Sequence, residues 1–164
     1  MKRFISLFLC LAVLVVSCYC LPAKAAEYDV PESQTLVSKT VQYLEDGSRI
    51  ETAIYEEIVK TRASSYMKSG SKVRSAYNVD GNLICTLTVR GVFSVDEGVS
   101  ATCTSVSHST SIVDDDWSCT SSSSSKSGNR ATANGTFKRT LLGVTVDTQN
   151  LQVTLQCDDL GNLS

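Results

Sequence analysis

Most of the residues able to do chemistry sit in one short stretch. Residues 101–119, ATCTSVSHSTSIVDDDWSC, hold the only histidine, the only tryptophan, three consecutive aspartates and two cysteines, bedded in serine. Three chemistries could be assembled there. His108 beside Ser105, Ser107 and Ser109, with an aspartate, has the residue types of a nucleophile–base–acid triad. A triad is recognised by geometry and is usually gathered from distant segments. The chain has no G-x-S-x-G elbow, and serine is so abundant that its nearness to His108 says little. Asp114, Asp115 and Asp116 could offer oxygens to calcium, which takes six to eight from an ordered loop. The D-x-D-x-D-G spacing is missing, and adjacent side chains on a strand point to opposite faces. Cysteines could hold zinc, but there is no C-x-x-C, and Cys85, Cys103, Cys119 and Cys157 are separated by 18, 16 and 38 residues, unlike zinc modules. The expectation is therefore no catalytic residue, no metal and no cofactor. His108, Asp114, Asp115 and Asp116 remain weak ligand candidates on a solvated connection between two strands, and Trp117 is a core residue.

The elements that must position these residues begin after an address. Lys2 and Arg3 precede an apolar run, Ile5 to Val16, that is too short to span a bilayer. Pro22 breaks it, and Ala23-Lys24-Ala25 has the small-x-small form of a signal-peptidase site. Residues 1–25 read as a signal peptide. A rival reading takes Val15-Val16-Ser17-Cys18 as a lipobox, leaving a lipoprotein anchored through Cys18. Cleavage at Ala25 removes Lys2, Arg3 and Lys24 from 15 basic residues, so 12 face 17 acidic ones and the net charge is −5. That argues against nucleic acid as a partner. No later apolar run approaches spanning length. The remaining 139 of 164 residues suffice for one domain with a core.

Along that domain the period is two. Residues 26–39 read as a flexible lead-in. Residues 40–57 read as an N-terminal hairpin, because Val41 and Tyr43, then Ile50, Thr52 and Ile54, alternate around Asp46-Gly47. A helix over 50–62 competes, since Ile50, Ile54 and Ile58 fall four apart. Residues 58–71 read as a linker. The segment 60–74 carries Lys60, Arg62, Lys68, Lys72 and Arg74 without an acid. That is a solvated face or, on a sharper reading, a patch for an anionic surface such as a wall polymer. Residues 72–158 form the core. Leu83, Cys85, Leu87, Val89, Phe93 and Val95 share one parity, with a bulge near Gly91. Val153, Leu155 and Cys157 share another in the last strand, before the polar ending DDLGNLS. Turns recur at Asp80-Gly81, Asp96-Glu97-Gly98, Lys126–Asn129 and Leu141-Leu142-Gly143. The pattern predicts an all-β, antiparallel, immunoglobulin-like β-sandwich.

Four cysteines in an exported domain predict two disulfides with three possible connectivities. All four fall on or beside inward faces, so parity does not choose. Cys103, then Trp117, then Cys157 echoes the immunoglobulin order. Leu155 stands where that fold has a tyrosine, however, and no strand follows. The echo favours Cys103–Cys157 with Cys85–Cys119.

The segments DGNLICTLTVRGVFS, CTSVSHSTSIVDDDWSC, SSKSGNRATANGTFKRTLLGV and VTLQCDDLGNLS, with YLEDGSRIETAIYEE before them, resemble a family of small secreted proteins of Gram-positive, clostridia-type bacteria. The resemblance spans most of the domain. The family carries no established activity, cofactor or catalytic residue, so it implies export and architecture only. It also implies that the cysteines of CTS and VTL-x-C occur together, which again favours Cys103–Cys157. The expected function is a secreted, non-catalytic protein that binds an extracellular surface, glycan or protein. A small hydrolase around His108 and a calcium-stabilised module are the alternatives.

Overall fold

The computed structural model describes residues 34–57 and 65–164. The expected signal peptide, Cys18, the expected lead-in up to residue 33 and residues 58–64 lie outside the described residues. Eight strands follow one another: β1 (Gln34–Tyr43), β2 (Arg49–Glu57), β3 (Ser65–Tyr77), β4 (Leu83–Asp96), β5 (Ser100–Ile112), β6 (Trp117–Ser127), β7 (Arg130–Leu141) and β8 (Val144–Gln156). They form a five-stranded sheet, β1-β2-β3-β4-β5, and a three-stranded sheet, β6-β7-β8. Every pairing is antiparallel and joins consecutive strands. The all-β expectation holds. The strand order is a meander in each sheet. A Greek key needs a strand that returns to lie beside an earlier one, and no described strand does. Among the described residues no helix is long and apolar enough to cross a membrane.

The turns are built as their residues dictate. In the β1–β2 hairpin Gly47 takes φ 87°, and the Asp46 carboxylate accepts bonds from the Ser48 amide (2.9 Å) and hydroxyl (2.6 Å). Segment 50–57 is strand, so the helix reading fails over that range. Two domain bounds move. Strand β1 already starts at Gln34, inside the expected lead-in. Strand β3 starts at Ser65, inside the expected linker. Both strands are polar and mostly exposed or half-buried there, so neither shows the apolar alternation that marks a half-buried strand. Residues 157–164 are more than a polar ending. Asp158 accepts bonds from the amides of Leu160 and Asn162, and the tight turn lets Ser164 pair with Gln156 in both directions at 2.9 Å. Leu163 is thereby tucked into the core over Gly70.

The core lies between the sheets. Leu87, Val89, Phe93, Val153, Leu155 and Trp117 are all buried there, as expected, together with Phe137 and Leu151. Small residues let the sheets close. A Cβ added to Gly91 would stand 2.7 Å from two ring carbons of Phe93 and 3.1 Å from the Ala131 methyl. One added to Gly135 would stand 3.0 Å from the Phe137 ring. Each phenyl ring folds back over the glycine two residues earlier on its own strand and fills the room a side chain would take. Gly91→Ala is therefore expected to overpack the core and cost about 1–3 kcal/mol. The readout is a lower urea midpoint at unchanged slope. A midpoint equal to wild type would show that the Phe93 ring gives way freely and that the close approach is no constraint.

Candidate functional site

Two bulges decide where the chemically capable residues point. In β5 the register shifts so that Phe93 faces Cys103 while Val92 faces Ser105, leaving Thr104 as the extra residue. In β6, Cys119 faces Phe137 while Ser121 faces Thr136, leaving Thr120 extra. The tripeptide Cys-Thr-Ser occurs at both places and makes the same local bonds. The threonine hydroxyl donates across the strand, Thr104 to the Val92 carbonyl at 3.0 Å and Thr120 to the Thr136 carbonyl at 3.2 Å. The thiol donates to the serine two residues on, at 3.3 Å for Cys103 and 3.5 Å for Cys119. An extra residue reverses the faces of everything beyond it. Past Thr104, His108 turns inward, and past Thr120, Ser122 and Ser124 turn inward to meet it. The His108 ring bonds Ser124 Oγ through Nδ1 at 2.9 Å and Ser122 Oγ through Nε2 at 3.1 Å.

This corrects the placement of His108. It is a half-buried residue of β5 at the seam between the sheets, not part of a solvated connection. The repeated Cys-Thr-Ser was the available sequence signal, and it was not read as a pair of bulges. Both ring nitrogens are engaged by serine hydroxyls. A triad base instead has one nitrogen on the nucleophile and the other on an orienting acid.

The connection itself is residues 113–116. The Asp114 carboxylate accepts the Asp116 amide at 3.0 Å and the Asp114 carbonyl accepts the Trp117 amide at 3.0 Å. Asp116 pairs with Arg139 at 3.1 Å, and Asp115 is exposed. Among the described residues no three His, Cys, Asp or Glu side chains converge as metal ligands.

Beside this connection the end of the two sheets opens into a cleft of about 390 Å³. The β1–β2 turn contributes Asp46 and Ser48, and the end of β3 and its turn contribute Tyr77, Asn78 and Asp80. Asp114, Arg139, Asp147 and Gln149 come from the other side, and Trp117 lies beneath, 8% exposed. Tyr77 is held from one side by the Arg49 guanidinium, 4.1 Å from its ring centre. Arg49 and Lys39 both reach Glu51, at 3.1 and 2.8 Å. Burial works against the Glu51 charge, but these two cations outweigh it and hold the carboxyl below its usual range. Hydrogen bonds from Ser48 likewise hold Asp46 low. The cleft thus combines an aromatic base, amides, carboxylates and guanidinium groups, so its rim holds both donors and acceptors. Sequence reasoning found Asp114 and Trp117 here. It missed Gln149 and Arg139, which come from distant segments.

The four cysteines among the described residues are unbridged in this structure. The Cys103 amide bonds the Gly128 carbonyl (2.8 Å) and the Cys157 amide bonds the Asn129 carbonyl (3.1 Å), so these two flank the β6–β7 turn. Burial pushes the Cys85 thiol up to about 12, with the Cys119 thiol adding to the rise. Burial pushes Cys157 up to about 11, with Asp158 and the Cys103 thiol adding and Lys68 opposing. A thiol whose folded value is raised holds its proton longer in the native state. Its contribution is full below the ordinary value of 9.0 and is lost as pH rises toward about 12. Under reducing conditions the urea midpoint is expected to fall over that interval, and less steeply in Cys85→Ala. Equal slopes in the two proteins would contradict this assignment.

No protein-family model matches the chain, and neither does any curated protein or solved structure.

Proposed function

We propose that the protein is exported through residues 1–25 and acts outside the cell as a non-catalytic binding module that takes a neutral glycan in the end cleft. The cleft carries this reading. Its size suits one or two sugar rings, its aromatic base suits their apolar faces, and its rim offers paired donors and acceptors for hydroxyls. The fold in this reading is a β-sandwich stapled by Cys103–Cys157 and Cys85–Cys119. Supporting the Cys103–Cys157 half of that pairing, the two residues flank the same β6–β7 turn through the Gly128 and Asn129 carbonyls. Each bridge would close a loop of tens of residues, worth about 4 kcal/mol in the chain-entropy model, with overlap reducing the sum.

The hydrolase alternative keeps one observation, the 2.9 Å contact of His108 with Ser124. Against it, the second ring nitrogen is held by Ser122 rather than by a carboxylate.

Trp117 is the only tryptophan, so its emission reports on the cleft. Titrating the purified protein with a panel of neutral oligosaccharides is expected to give a saturable change. Tyr77→Ala is expected to weaken it about tenfold, the equivalent of about 1.4 kcal/mol. If no sugar in the panel alters the emission, or if Tyr77→Ala binds as wild type does, the reading fails. Non-reducing peptide mapping is expected to yield Cys103–Cys157 and Cys85–Cys119 fragments, and a Cys85–Cys157 fragment would overturn the pairing.

A further inference from the structure

The five-stranded sheet is wider than its partner, and β1 and β2 project beyond the edge of β8. In the angle between this flange and β8 runs a groove of about 410 Å³. The strand register sets its floor. Thr40, Thr52 and Arg74 lie abreast on β1, β2 and β3, and Ser38, Ile54 and Lys72 lie abreast one step along. The wall is the edge of β8 at Gln152–Thr154. Three hydroxyls and two cations thus share one surface, and none of the lining residues is a carboxylate.

Among the described residues no carboxylate pairs with either cation. Lys68, the next cation on the same face of β3, is taken by Glu56 at 2.7 Å. Arg74 gives one Nη–H to the Gln152 carbonyl at 2.7 Å, which fixes its guanidinium at the β8 edge. Its Nε is buried and has no hydrogen-bond partner. Lys72 is partly desolvated, and burial first and Arg74 second hold its ammonium below its ordinary value. No carboxylate is among the groups acting on it. Side chains two apart on one strand face sit about 6.5–7 Å from each other. Two like charges at that spacing, withdrawn from water, are costly unless an anion joins them. A guanidinium fork and an ammonium are the groups that recognise phosphate, sulfate and carboxylate, and the hydroxyls of Ser38, Thr40 and Thr52 suit a polyol that carries such a group.

We infer that this groove is a second binding site, taking an oxyanion borne on a hydroxylated chain. It is separate from the end cleft and does not depend on a glycan binding there.

The test is calorimetric titration of the purified protein at physiological ionic strength with four probes: inorganic phosphate, poly(glycerol phosphate), heparin and polygalacturonate. At least one polymer is expected to bind saturably and more tightly than inorganic phosphate, and which polymer binds identifies the oxyanion. Lys72→Gln is expected to weaken it about tenfold or more. Lys68→Gln, whose ammonium is already paired, and Gln149→Ala, in the end cleft, are expected to leave it unchanged. Melting curves check that each variant is folded. The inference is overturned if no polymer binds, if Lys72→Gln binds as wild type does, or if Lys68→Gln weakens binding as much as Lys72→Gln, which would mean diffuse attraction to basic residues.

Discussion

One extra residue in a strand reverses every side chain beyond it, and the seam between β5 and β6 relies on that twice. Thr104 and Thr120 each follow a cysteine, each is left over in its ladder, and each ties its hydroxyl to the neighbouring strand. The reversal matters because period two leaves no intermediate choice: a residue faces the core or the solvent. Before the bulges, Cys103 and Cys119 face inward. After them, His108 on one sheet and Ser122 and Ser124 on the other face inward too. Without the extra threonines the imidazole would lie on the outside of its sheet. The seam between β5 and β6 would then lose the polar contacts that close it. The bulge at Thr104 also lets the Lys126 ammonium reach the Thr104 carbonyl, a further tie across the same seam.

The same alternation divides the remaining surface. On the outside of the three-stranded sheet the side chains are hydroxyls and amides that bond to one another across the ladder, as Thr132 does to Thr154 at 3.0 Å, Thr136 to Asn150 at 3.0 Å and Gln152 to Asn134 at 2.9 Å. Between β7 and β8 that layer is spent on itself. The unspent groups lie where the sheets stop matching. At the turn end the β1–β2 and β3–β4 turns stand apart from the β5–β6 connection, and the end cleft opens. At the flank β1 and β2 outrun β8, and the cationic groove opens. Both follow from packing five strands against three.

How far the sequence alone reaches can be judged from particular residues. The inward run Leu83–Val95 was legible because its apolar residues alternate without interruption, and the turns at Asp46-Gly47 and Gly81 because glycine there must take a positive φ. The starts of β1 and β3 were not legible. Their first residues, such as Thr35 and Lys39 or Ser65 and Met67, are exposed, and strands with two wet faces carry no apolar alternation. His108 was misplaced because counting by twos from Cys103 runs through Thr104 as if it paired. Leu163 was missed because one leucine in a polar segment has no period at all. The end cleft was half legible. Asp114 and Trp117 stood out by rarity, whereas Tyr77 and Gln149 acquire their meaning only when the fold brings them together.

Stability and binding are arranged on different parts of the molecule. The buried residues concentrate between β3–β5 and β6–β8, where Gly91, Ala131, Ala133 and Gly135 allow close approach. Strand β1 has exposed residues along nearly its whole length and is held by its ladder to β2, the Asp46 turn and the Lys39–Glu51 ion pair. Lys39 is the exposed end of that pair, and pairs open to solvent contribute at most about 1 kcal/mol, so β1 is the strand that opens at the lowest cost. It is also the strand that supplies Ser38 and Thr40 to the groove. The cations there reside two strands inward, on β3, which is paired on both sides. The charge of the groove is therefore fixed by the rigid part of the sheet, and its hydroxyl rim by the part best able to adjust around what the charge attracts.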